Sequence, residues 1–444
     1  MIGMIEMIGK SPRHPGGTRL RSPLMSTRPW RPASLLAALA LLPAAAACGA
    51  DRDDALWSLD GRTVSGGGHL RPTTWATGST LAVTRPREVT GYDAATGEPR
   101  WAVPLPGGVC TASARPAGGR VAVQFGRGEF GCERIAVLDL RNGTKLWERP
   151  ITGERHRRGQ VVIAGDTVVV DWLYGTAAFH LADGRPRWTT DSQSADCAIQ
   201  GMAGGPALVA GRSCDADKGR VGGVHGIDPR TGRYLWTYDA PPGYVVDGML
   251  SSSPVVLGLR LDGRRERAWR VAVLNPSGAQ TANFDIQGTV RCSVDSEDPT
   301  RCEHAVVTED TLYVRSGAGP KRGRRFAPIV AFDLATGRVR WGTDNPDGNH
   351  LFPVAMDGGR LIAAQPGAFA KGRGKPPRLV SVDPATGKTT IMWGLTRKAD
   401  FPLRSGSYRQ YAGGRFFLTK HLITGKEEVA LHAYGPDGPD DRGE

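Results

Sequence analysis

The cysteines are the residues of this chain with the widest chemistry, because a thiol can form a disulfide, bind a metal or carry a covalent group. The 444 residues include seven of them. Cys48 ends an N-terminal run of small residues, and the other six fall as three near-neighbour couples: Cys110 and Cys132, Cys197 and Cys214, Cys292 and Cys302. No spacing is C-x-x-C and no His/Cys cluster has zinc spacing. We therefore predict a disulfide in each couple rather than a redox or metal site.

The N-terminus indicates the redox compartment. From Met25 the chain reads MSTRPWRPASLLAALALLPAAAACGA, with two arginines, an apolar stretch from Ala33 to Leu42, and small residues up to Cys48. This is the pattern of a secretory signal, and the apolar stretch is shorter than the roughly 20 residues that span a bilayer. Export to an oxidising compartment favours the predicted disulfides.

The small residues before Cys48 carry a more specific signal. Ala-Ala-Ala-Cys at 45–48 resembles the lipobox of bacterial lipoproteins, although Ala45 stands where that motif usually has leucine. The resemblance implies that the sulfur of Cys48 receives a diacylglyceryl group, and that palmitate-type lipid anchors the mature protein to the extracytoplasmic face of the cell membrane. The alternative is an unmodified cysteine within a removed signal peptide.

Composition indicates a globular protein with short strands. Of the residues, 40% are hydrophobic and 23% charged, and 60 Gly and 32 Pro favour turns over long helices. The net charge is +13, and removal of residues 1–47 leaves 51 basic and 43 acidic residues, or +8. The basic clusters GRRER (263–267) and KRGRR (321–325) have no interleaved aromatics, so they indicate solvated loops, and we expect no nucleic-acid partner.

One phrase recurs seven times along the chain. It contains an alternating apolar run, Asp-x-x-Thr-Gly or a variant of it, and a final aromatic residue. The copies are YDAATGEPRW (92–101), LDLRNGTKLW (138–147), FHLADGRPRW (179–188), IDPRTGRYLW (227–236), LNPSGAQTANF (274–284), FDLATGRVRW (332–341) and VDPATGKTTIMW (382–393). Their glycines recur every 40 to 60 residues or so, which is typical of a repeat architecture.

Each phrase predicts two strands joined by a hairpin. The Asp side chain can accept backbone N–H groups, and the Gly supplies the positive φ of a tight turn. Further alternating segments such as GRVAVQF (119–125) and DTVVVDW (166–172) precede the phrases, giving four strands per unit. We predict an all-β fold in which each unit is a four-stranded blade of a β-propeller.

The phrase resembles the PQQ-like (quinoprotein-type) propeller repeat, and the resemblance extends from about Trp57 to Gly438. It implies that the tryptophan of each phrase packs between neighbouring blades, which is a structural role and not ligand stacking. The residues concerned are Trp57, Trp101, Trp147, Trp188, Trp236, Trp341 and Trp393.

The two ends of the chain predict how the ring closes. VALHAYGPDG (429–438) begins an eighth phrase without a tryptophan, and ALWSLDG supplies Trp57 without a preceding turn. We therefore predict eight blades, with N- and C-terminal strands sharing one blade so that no sheet edge is left free. Seven blades are the alternative.

These patterns divide the chain into five segments. The first fits no targeting class, so it is expected to be disordered or to precede the true start at Met25. The segments are an N-terminal extension (1–24), a lipoprotein signal peptide (25–47), a tether (48–55), the propeller (56–438) and a disordered tail (439–444).

In a propeller the fourth-to-first connections and the middle hairpins share one face, here called the loop face. The Asp-x-x-Thr-Gly turns lie on the other, here called the turn face. The segments after each tryptophan mix charge, aromatics and proline, as recognition loops do. Candidate binding residues on the loop face are Arg155, His156, Arg157, Tyr244, Asp247, Asp347, His350 and Arg397. The first two cysteine couples are each predicted to staple two loops on this face, and Cys292 and Cys302 to close their own loop within the long insertion after Phe284.

The favoured function is a non-catalytic, lipid-anchored, monomeric propeller that acts as a scaffold or sensor for a protein partner or cell-envelope ligand. It looks like the propeller lipoproteins of outer-membrane assembly. The alternative is a PQQ-dependent quinoprotein dehydrogenase, but those enzymes pair vicinal cysteines with Ca²⁺ ligands, and no adjacent cysteines occur. A hydrolase or lyase is a third possibility, although G-x-S-x-G, H-E-x-x-H and Walker patterns are absent. We expect no catalytic residue, metal or cofactor.

Overall fold

The structure is a computed structural model, and it describes residues 55–66, 71–127, 131–152, 159–172, 175–191, 197–214, 220–262, 269–286, 304–315, 328–343, 350–370, 373–404, 407–424 and 428–436. The chain divides into two units, residues 1–52 and 53–444. All described residues belong to the second unit. None of the helices among them is long and apolar enough to cross a bilayer.

Eight four-stranded antiparallel sheets form the fold, which is the eight-bladed β-propeller that the sequence predicts. Blades 1 to 4 each take four strands in chain order. These are β2 (Thr74–Ala76), β3 (Thr80–Arg85), β4 (Glu88–Asp93) and β5 (Pro99–Pro104); β6 (Gly108–Ala112), β7 (Arg120–Gly126), β8 (Arg134–Asp139) and β9 (Thr144–Pro150); β10 (Val161–Ala164), β11 (Thr167–Trp172), β12 (Gly175–His180) and β13 (Pro186–Asp191); β14 (Ala198–Ala203), β15 (Leu208–Ser213), β16 (Gly223–Ile227) and β17 (Tyr234–Asp239).

Blades 5 to 8 follow the same order, with two additions. Blade 7 carries an extra hairpin, and blade 8 takes its fourth strand from the N-terminal end. The strands are β18 (Tyr244–Ser252), β19 (Val255–Leu261), β20 (Trp269–Leu274) and β21 (Gln280–Ile286); β22 (Ala305–Val307), β23 (Thr311–Arg315), β24 (Ile329–Asp333) and β25 (Val339–Gly342); β26 (Phe352–Asp357), β27 (Arg360–Gln365), the hairpin β28 (Ala368–Ala370) and β29 (Arg373–Lys375), β30 (Arg378–Val382) and β31 (Thr389–Gly394); β32 (Ser407–Ala412), β33 (Arg415–Lys420), β34 (Val429–Tyr434) and β1 (Trp57–Asp60).

Ring closure occurs as the two chain ends predict. Strand β1 pairs antiparallel with β34, with Trp57 opposite Ala433 and Asp60 opposite Val429. The first strands of blades 6, 7, 8 and 1 contact one another in turn, so first strands surround the centre and fourth strands form the rim. Three short helices lie in loop-face connections: α1 (Gly61–Ser65), a 3₁₀ helix (Arg397–Ala399) and α2 (Asp400–Arg404).

The tryptophans pack between blades, each over the turn glycine of the next blade. A Cβ at any of these glycines would come within 2.7 Å of an indole carbon, so only glycine fits. The pairs are Trp57 over Gly97, Trp101 over Gly143, Trp147 over Gly184, Trp188 over Gly232, Trp236 over Gly278 and Trp341 over Gly387. These six glycines also have φ between 71° and 80°, the left-handed region that favours this residue.

Hydrogen bonds fix the orientation of several indoles. The indole N–H of Trp57 donates to the Ala94 carbonyl at 3.1 Å, and that of Trp147 to the Leu181 carbonyl at 2.9 Å. Trp188 and Trp341 make the same bond to Pro229 and Pro384. Each acceptor follows the first residue of the next blade's turn. A single tryptophan therefore joins two blades by packing and by a directional bond.

Two blade interfaces depart from this pattern. In blade 5 the ring of Phe284 lies over Gly337, so the phrase without tryptophan keeps an aromatic contact. In blade 7, Trp393 stands opposite Leu379 in the sheet and its ring centroid lies 6.3 Å from that of Tyr411 in blade 8. Because the chain ends interrupt blade 8, no third-to-fourth turn is present there to receive it.

Aspartates hold the turns together. Asp93 Oδ1 accepts hydrogen bonds from the backbone N–H groups of Ala95 and Thr96, at 2.7 and 3.0 Å. These donors lower the pKa of Asp93, and equivalent donors lower that of Asp383. In blade 3, where His180 replaces the first aspartate, Asp183 accepts from the N–H of Arg185 and contacts His180 Nδ1. When histidine takes the first position of the turn, an aspartate at the fourth position accepts the backbone N–H instead.

A glycine substitution tests whether the turn residue must be glycine because of the inter-blade contact or because of its positive φ alone. We expect Gly143→Ala to lower the free energy of unfolding by about 2 kcal/mol more than Gly358→Ala, because its methyl group would overlap Trp101. Gly358 has φ of +52° and open space around it, so its variant carries backbone strain alone. Chemical denaturation measures both, and equal losses would contradict the packing role.

Candidate functional site on the loop face

Two disulfides staple the loop face, as the sequence predicts. Cys110 in β6 is joined to Cys132 in the middle hairpin of blade 2, and Cys197 before β14 to Cys214 in the middle hairpin of blade 4. The closed loops span 22 and 17 residues, so each bond contributes about 3 kcal/mol by loop-closure entropy. Each disulfide holds the start of a first strand against the middle hairpin of the same blade. Because first strands surround the centre of the ring, the disulfides fix the conformation of loops close to that centre.

Blade 3 contributes a half-buried carboxyl at the loop-face end of its second strand. Asp171 Oδ1 accepts a hydrogen bond of 2.6 Å from the backbone N–H of Gln160, and the Gln160 side-chain oxygen accepts from the N–H of Met202 in blade 4. Burial raises the pKa of Asp171 to about 6, and the Gln160 N–H opposes part of this rise. The pKa of this carboxyl therefore lies above the usual range of aspartate, and Gln160, which donates to it, also joins blade 3 to blade 4.

Blade 5 places Tyr244 and Asp247 on its first strand. Asp247 is buried, and its Oδ1 lies 2.9 Å from Nε of Arg260, which forms an ion pair. Burial raises the pKa of Asp247, and Arg260 opposes the rise. Tyr244 is half-buried, with the Arg270 guanidinium 5.6 Å from its ring centroid. Tyr244 is thus the more accessible of these two candidates.

Blades 6, 7 and 8 bring cationic side chains together around one aromatic ring. The guanidinium carbons of Arg315 and Arg409 lie 4.5 and 4.2 Å from the ring centroid of Phe352, and the ring of His304 lies 5.6 Å from it. Phe352 is buried. Each guanidinium thus lies over the aromatic ring, a contact that favours one orientation of the cation.

Two sequence candidates belong to the same blades. His350 lies two residues before Phe352, and Arg397 lies twelve residues before Arg409. Burial lowers the pKa of His350, and the charges of Arg315 and Arg404 lower it further. Arg397 is exposed in the 3₁₀ helix that precedes α2. The structure therefore places His350 next to positive charge and Arg397 in the loop-face connection between blades 7 and 8.

Several candidates lie outside the described residues. They are Arg155, His156, Arg157, Asp347, the lipidation candidate Cys48, and the predicted disulfide partners Cys292 and Cys302. Conversely, sequence reasoning did not single out Arg315, Phe352 or Arg409. They lie 37 or more residues apart in sequence from one another, and only the ring geometry brings them to one place.

In the described part of the chain, no three His, Cys, Asp or Glu side chains lie close enough together to bind a metal ion.

The fold and its repeats define a β-propeller of PQQ-like blades. The family model described as outer membrane protein assembly factor BamB matches residues 45–170, 131–281 and 261–433, so the chain belongs to this family. A search of curated protein sequences finds none that matches.

Solved structures share the fold at low sequence identity. BamB from Moraxella catarrhalis is 14% identical, with 82% of this chain and 98% of that chain covered and a TM-score of 0.44. Quinohemoprotein alcohol dehydrogenase ADHIIG from Pseudomonas putida HK5 is 11% identical, covering 87% and 78%, with a TM-score of 0.45. The enzyme from Comamonas testosteroni is 13% identical, covering 88% and 77%, with a TM-score of 0.46. These likenesses bear on the fold alone.

The raised pKa of Asp171 predicts a pH-dependent stability. Ionisation is disfavoured in the folded state, so stability is lost as pH rises from about 4 through 6 and is not affected by this group below its unfolded pKa. We expect Asp171→Asn, which keeps an oxygen acceptor, to gain on the order of 2 kcal/mol relative to wild type between pH 4 and pH 7. Urea denaturation at both pH values measures it.

The exposed turn-face residue Asp357 provides the control, because Asp357→Asn makes the same chemical change away from the site. A stability difference between Asp171→Asn and wild type that is the same at pH 4 and pH 7 would show that Asp171 is ionised at no unusual cost.

Proposed function

We propose that the protein is a non-catalytic, lipid-anchored propeller that binds a protein partner or cell-envelope ligand through its loop face on the extracytoplasmic side of the membrane. The observation that carries the proposal is the stapling of this face, where both described disulfides fix central loops of a family propeller. A surface held in one conformation loses little entropy when it binds.

The described polar groups of the loop face support binding rather than catalysis. Asp247 is engaged by Arg260, and Asp400 by Arg404, each at 2.9 Å. Asp171 accepts a backbone N–H. These contacts orient side chains and complete ion pairs. Within the ranges that the structure describes, they do not align a nucleophile with a base, which acid–base or covalent catalysis requires.

The PQQ-like repeat suggests PQQ as a cofactor, but the described residues do not fit it. Quinoprotein enzymes use a disulfide between adjacent cysteines. Here Cys110–Cys132 lies within blade 2 and joins residues 22 apart in sequence, and Cys197–Cys214 lies within blade 4 and joins residues 17 apart. Asp247, a central carboxylate, is neutralised by Arg260 rather than directed at a cation. We therefore propose a protein that acts without this cofactor, and as a monomer.

The propeller begins at the turn face. The N–H of Leu56 donates to the Ala433 carbonyl, and the indole N–H of Trp57 donates to the Ala94 carbonyl in a turn of blade 1. The lipid anchor is proposed on the sequence before this strand, where Cys48 ends a run of small residues.

Substitution of the anchor residue tests localisation. We expect Cys48→Ala to release the protein from the membrane fraction, because a signal peptide without a lipidation site leaves no diacylglyceryl group on the product. Immunoblots of membrane and soluble fractions measure this, with Cys110→Ala as a cysteine control that keeps the anchor. Membrane retention of Cys48→Ala at the wild-type level would reject the lipid anchor.

Site-specific crosslinking tests the binding face. With a photoreactive residue at the exposed position Arg397 on the loop face, we expect intact cells to yield a discrete crosslinked product. The same residue at Arg233, which follows the blade 4 turn on the turn face, is the matched control. Mass spectrometry identifies the product, and equal or exclusive crosslinking at Arg233 would contradict a loop-face partner.

A further inference from the structure

The two described disulfides have similar spacing in the sequence but different surroundings. Cys132 is buried, with 7% of its surface exposed, and its carbonyl accepts a hydrogen bond of 2.8 Å from the Gln124 side-chain amide. Its partner Cys110 is half-buried. In the other bond Cys197 is half-buried and Cys214 is exposed. A thiolate that opens a disulfide must reach one of its sulfurs, so Cys197–Cys214 is the more accessible bond.

A guanidinium lies beside this more accessible bond. Nη1 of Arg212 is 3.2 Å from Sγ of Cys214 and 3.9 Å from Sγ of Cys197. Nη2 of the same group pairs with the Asp239 carboxylate, and 22% of the Arg212 side chain is exposed. A partly buried cation in this position favours a thiolate over a thiol, because the negative charge forms next to it.

The charge of Arg212 also acts on a second group of blade 4. Burial lowers the pKa of His225 in β16, and the charge of Arg212 lowers it further. The ion pair with Asp239 therefore orients the guanidinium without cancelling its field inside the blade.

The sheet holds the two cysteines together independently of their bond. In the pairing of β14 with β15, Ala198 stands opposite Ser213 and Ile199 opposite Arg212. Cys197 and Cys214 follow directly at the end of this ladder. Once the disulfide is opened, the strand pairing keeps the two thiols close to each other, so the bond can form again.

We propose that Cys197–Cys214 is an exchangeable disulfide that a low-molecular-weight thiol of the extracytoplasmic space opens, with Arg212 stabilising the thiolates that leave, while Cys110–Cys132 stays closed. The thiolate of the small thiol attacks Sγ of Cys214, the S–S bond breaks, and Cys197 leaves as a thiolate 3.9 Å from Nη1 of Arg212. A mixed disulfide between Cys214 and the small thiol remains.

A second thiolate completes the exchange. It attacks the sulfur that the first small thiol contributed, and Cys214 leaves as a thiolate 3.2 Å from Nη1 of Arg212. Two small thiols are thereby oxidised to one disulfide and the protein disulfide is reduced by two electrons. The two protons that the small thiols lose are taken up by the two cysteine thiolates.

This exchange goes beyond the proposed function and requires neither the lipid anchor nor a partner. Opening the bond frees the connection before β14 from the middle hairpin of blade 4 on the loop face. Only the consequence that loop-face binding responds to external thiols rests on the proposed function.

The test treats the purified full-length protein with reduced glutathione and follows each disulfide separately by alkylation and peptide mass spectrometry. A thioredoxin-type protein dithiol is the comparison probe. Arg212→Gln removes the charge beside the sulfurs and Arg212→Lys keeps a charge there. Arg270→Gln in blade 5 is the matched control, because Arg270 also pairs with an aspartate near the end of a fourth strand, Asp285, at 2.9 Å.

We expect glutathione to open Cys197–Cys214 about tenfold or more faster than Cys110–Cys132 in the wild-type protein. Arg212→Gln is expected to slow this opening about threefold or more, because both leaving thiolates lose their cation. Arg212→Lys and Arg270→Gln are expected to change the rate by less than about twofold. Thermal unfolding of each variant before reduction confirms that it is folded.

Equal opening rates for the two disulfides in the wild-type protein would indicate reduction through global unfolding and overturn the proposal, and this comparison needs no variant. A rate for Arg212→Gln equal to or above the wild-type rate would also overturn it. So would opening by the protein dithiol but not by glutathione. None of these measurements involves Cys48 or a partner, so the anchor and the loop-face partner are rejected or kept by the experiments at Cys48 and Arg397 alone.

Discussion

The fold depends on one recurring contact, an indole placed over a glycine of the neighbouring blade. Each sheet would otherwise expose one face to water, and the ring exists because every blade covers the next. Buried clusters such as the one that joins Trp75, Val89 and Val103 of blade 1 to Phe125 and Leu138 of blade 2 fill the space inside this contact. Glycine is required on two counts, since its φ is positive and a Cβ would strike the ring. The tryptophan and the turn are therefore one structural unit that spans two blades.

That coupling explains why the fold could be predicted from sequence. Asp-x-x-Thr-Gly and a tryptophan at fixed spacing record both a local turn and a long-range contact, so seven copies define blade number and ring closure together. Phe284 shows the tolerance of the pattern, because another aromatic ring fills the same place over Gly337. Trp393 shows its limit. Blade 8 takes its third and fourth strands from the two ends of the propeller, so no hairpin turn joins them, and the indole of Trp393 packs on Tyr411 instead.

The candidate site was predictable only in part, for a physical reason. Cys110–Cys132 and Cys197–Cys214 are local in sequence and recur at equivalent places in their blades, so spacing was sufficient to pair them. Asp247 was chosen as a loop-face residue, but its burial against Arg260 depends on a strand pairing that spacing does not encode. The grouping of Arg315, Phe352 and Arg409 comes from three different blades. Their convergence results from curvature of the ring, which no single repeat contains.

The pairing of β1 with β34 has a consequence for how the ring assembles. Strand β1 stands at the start of the propeller sequence and its partner β34 near the end, so the closing contact joins Trp57 to Ala433 across nearly the whole propeller. Blades 1 to 7 contain only strands that follow one another in sequence, so each can form before this contact does. Until β1 pairs with β34, the propeller is an open arc with two unprotected sheet edges.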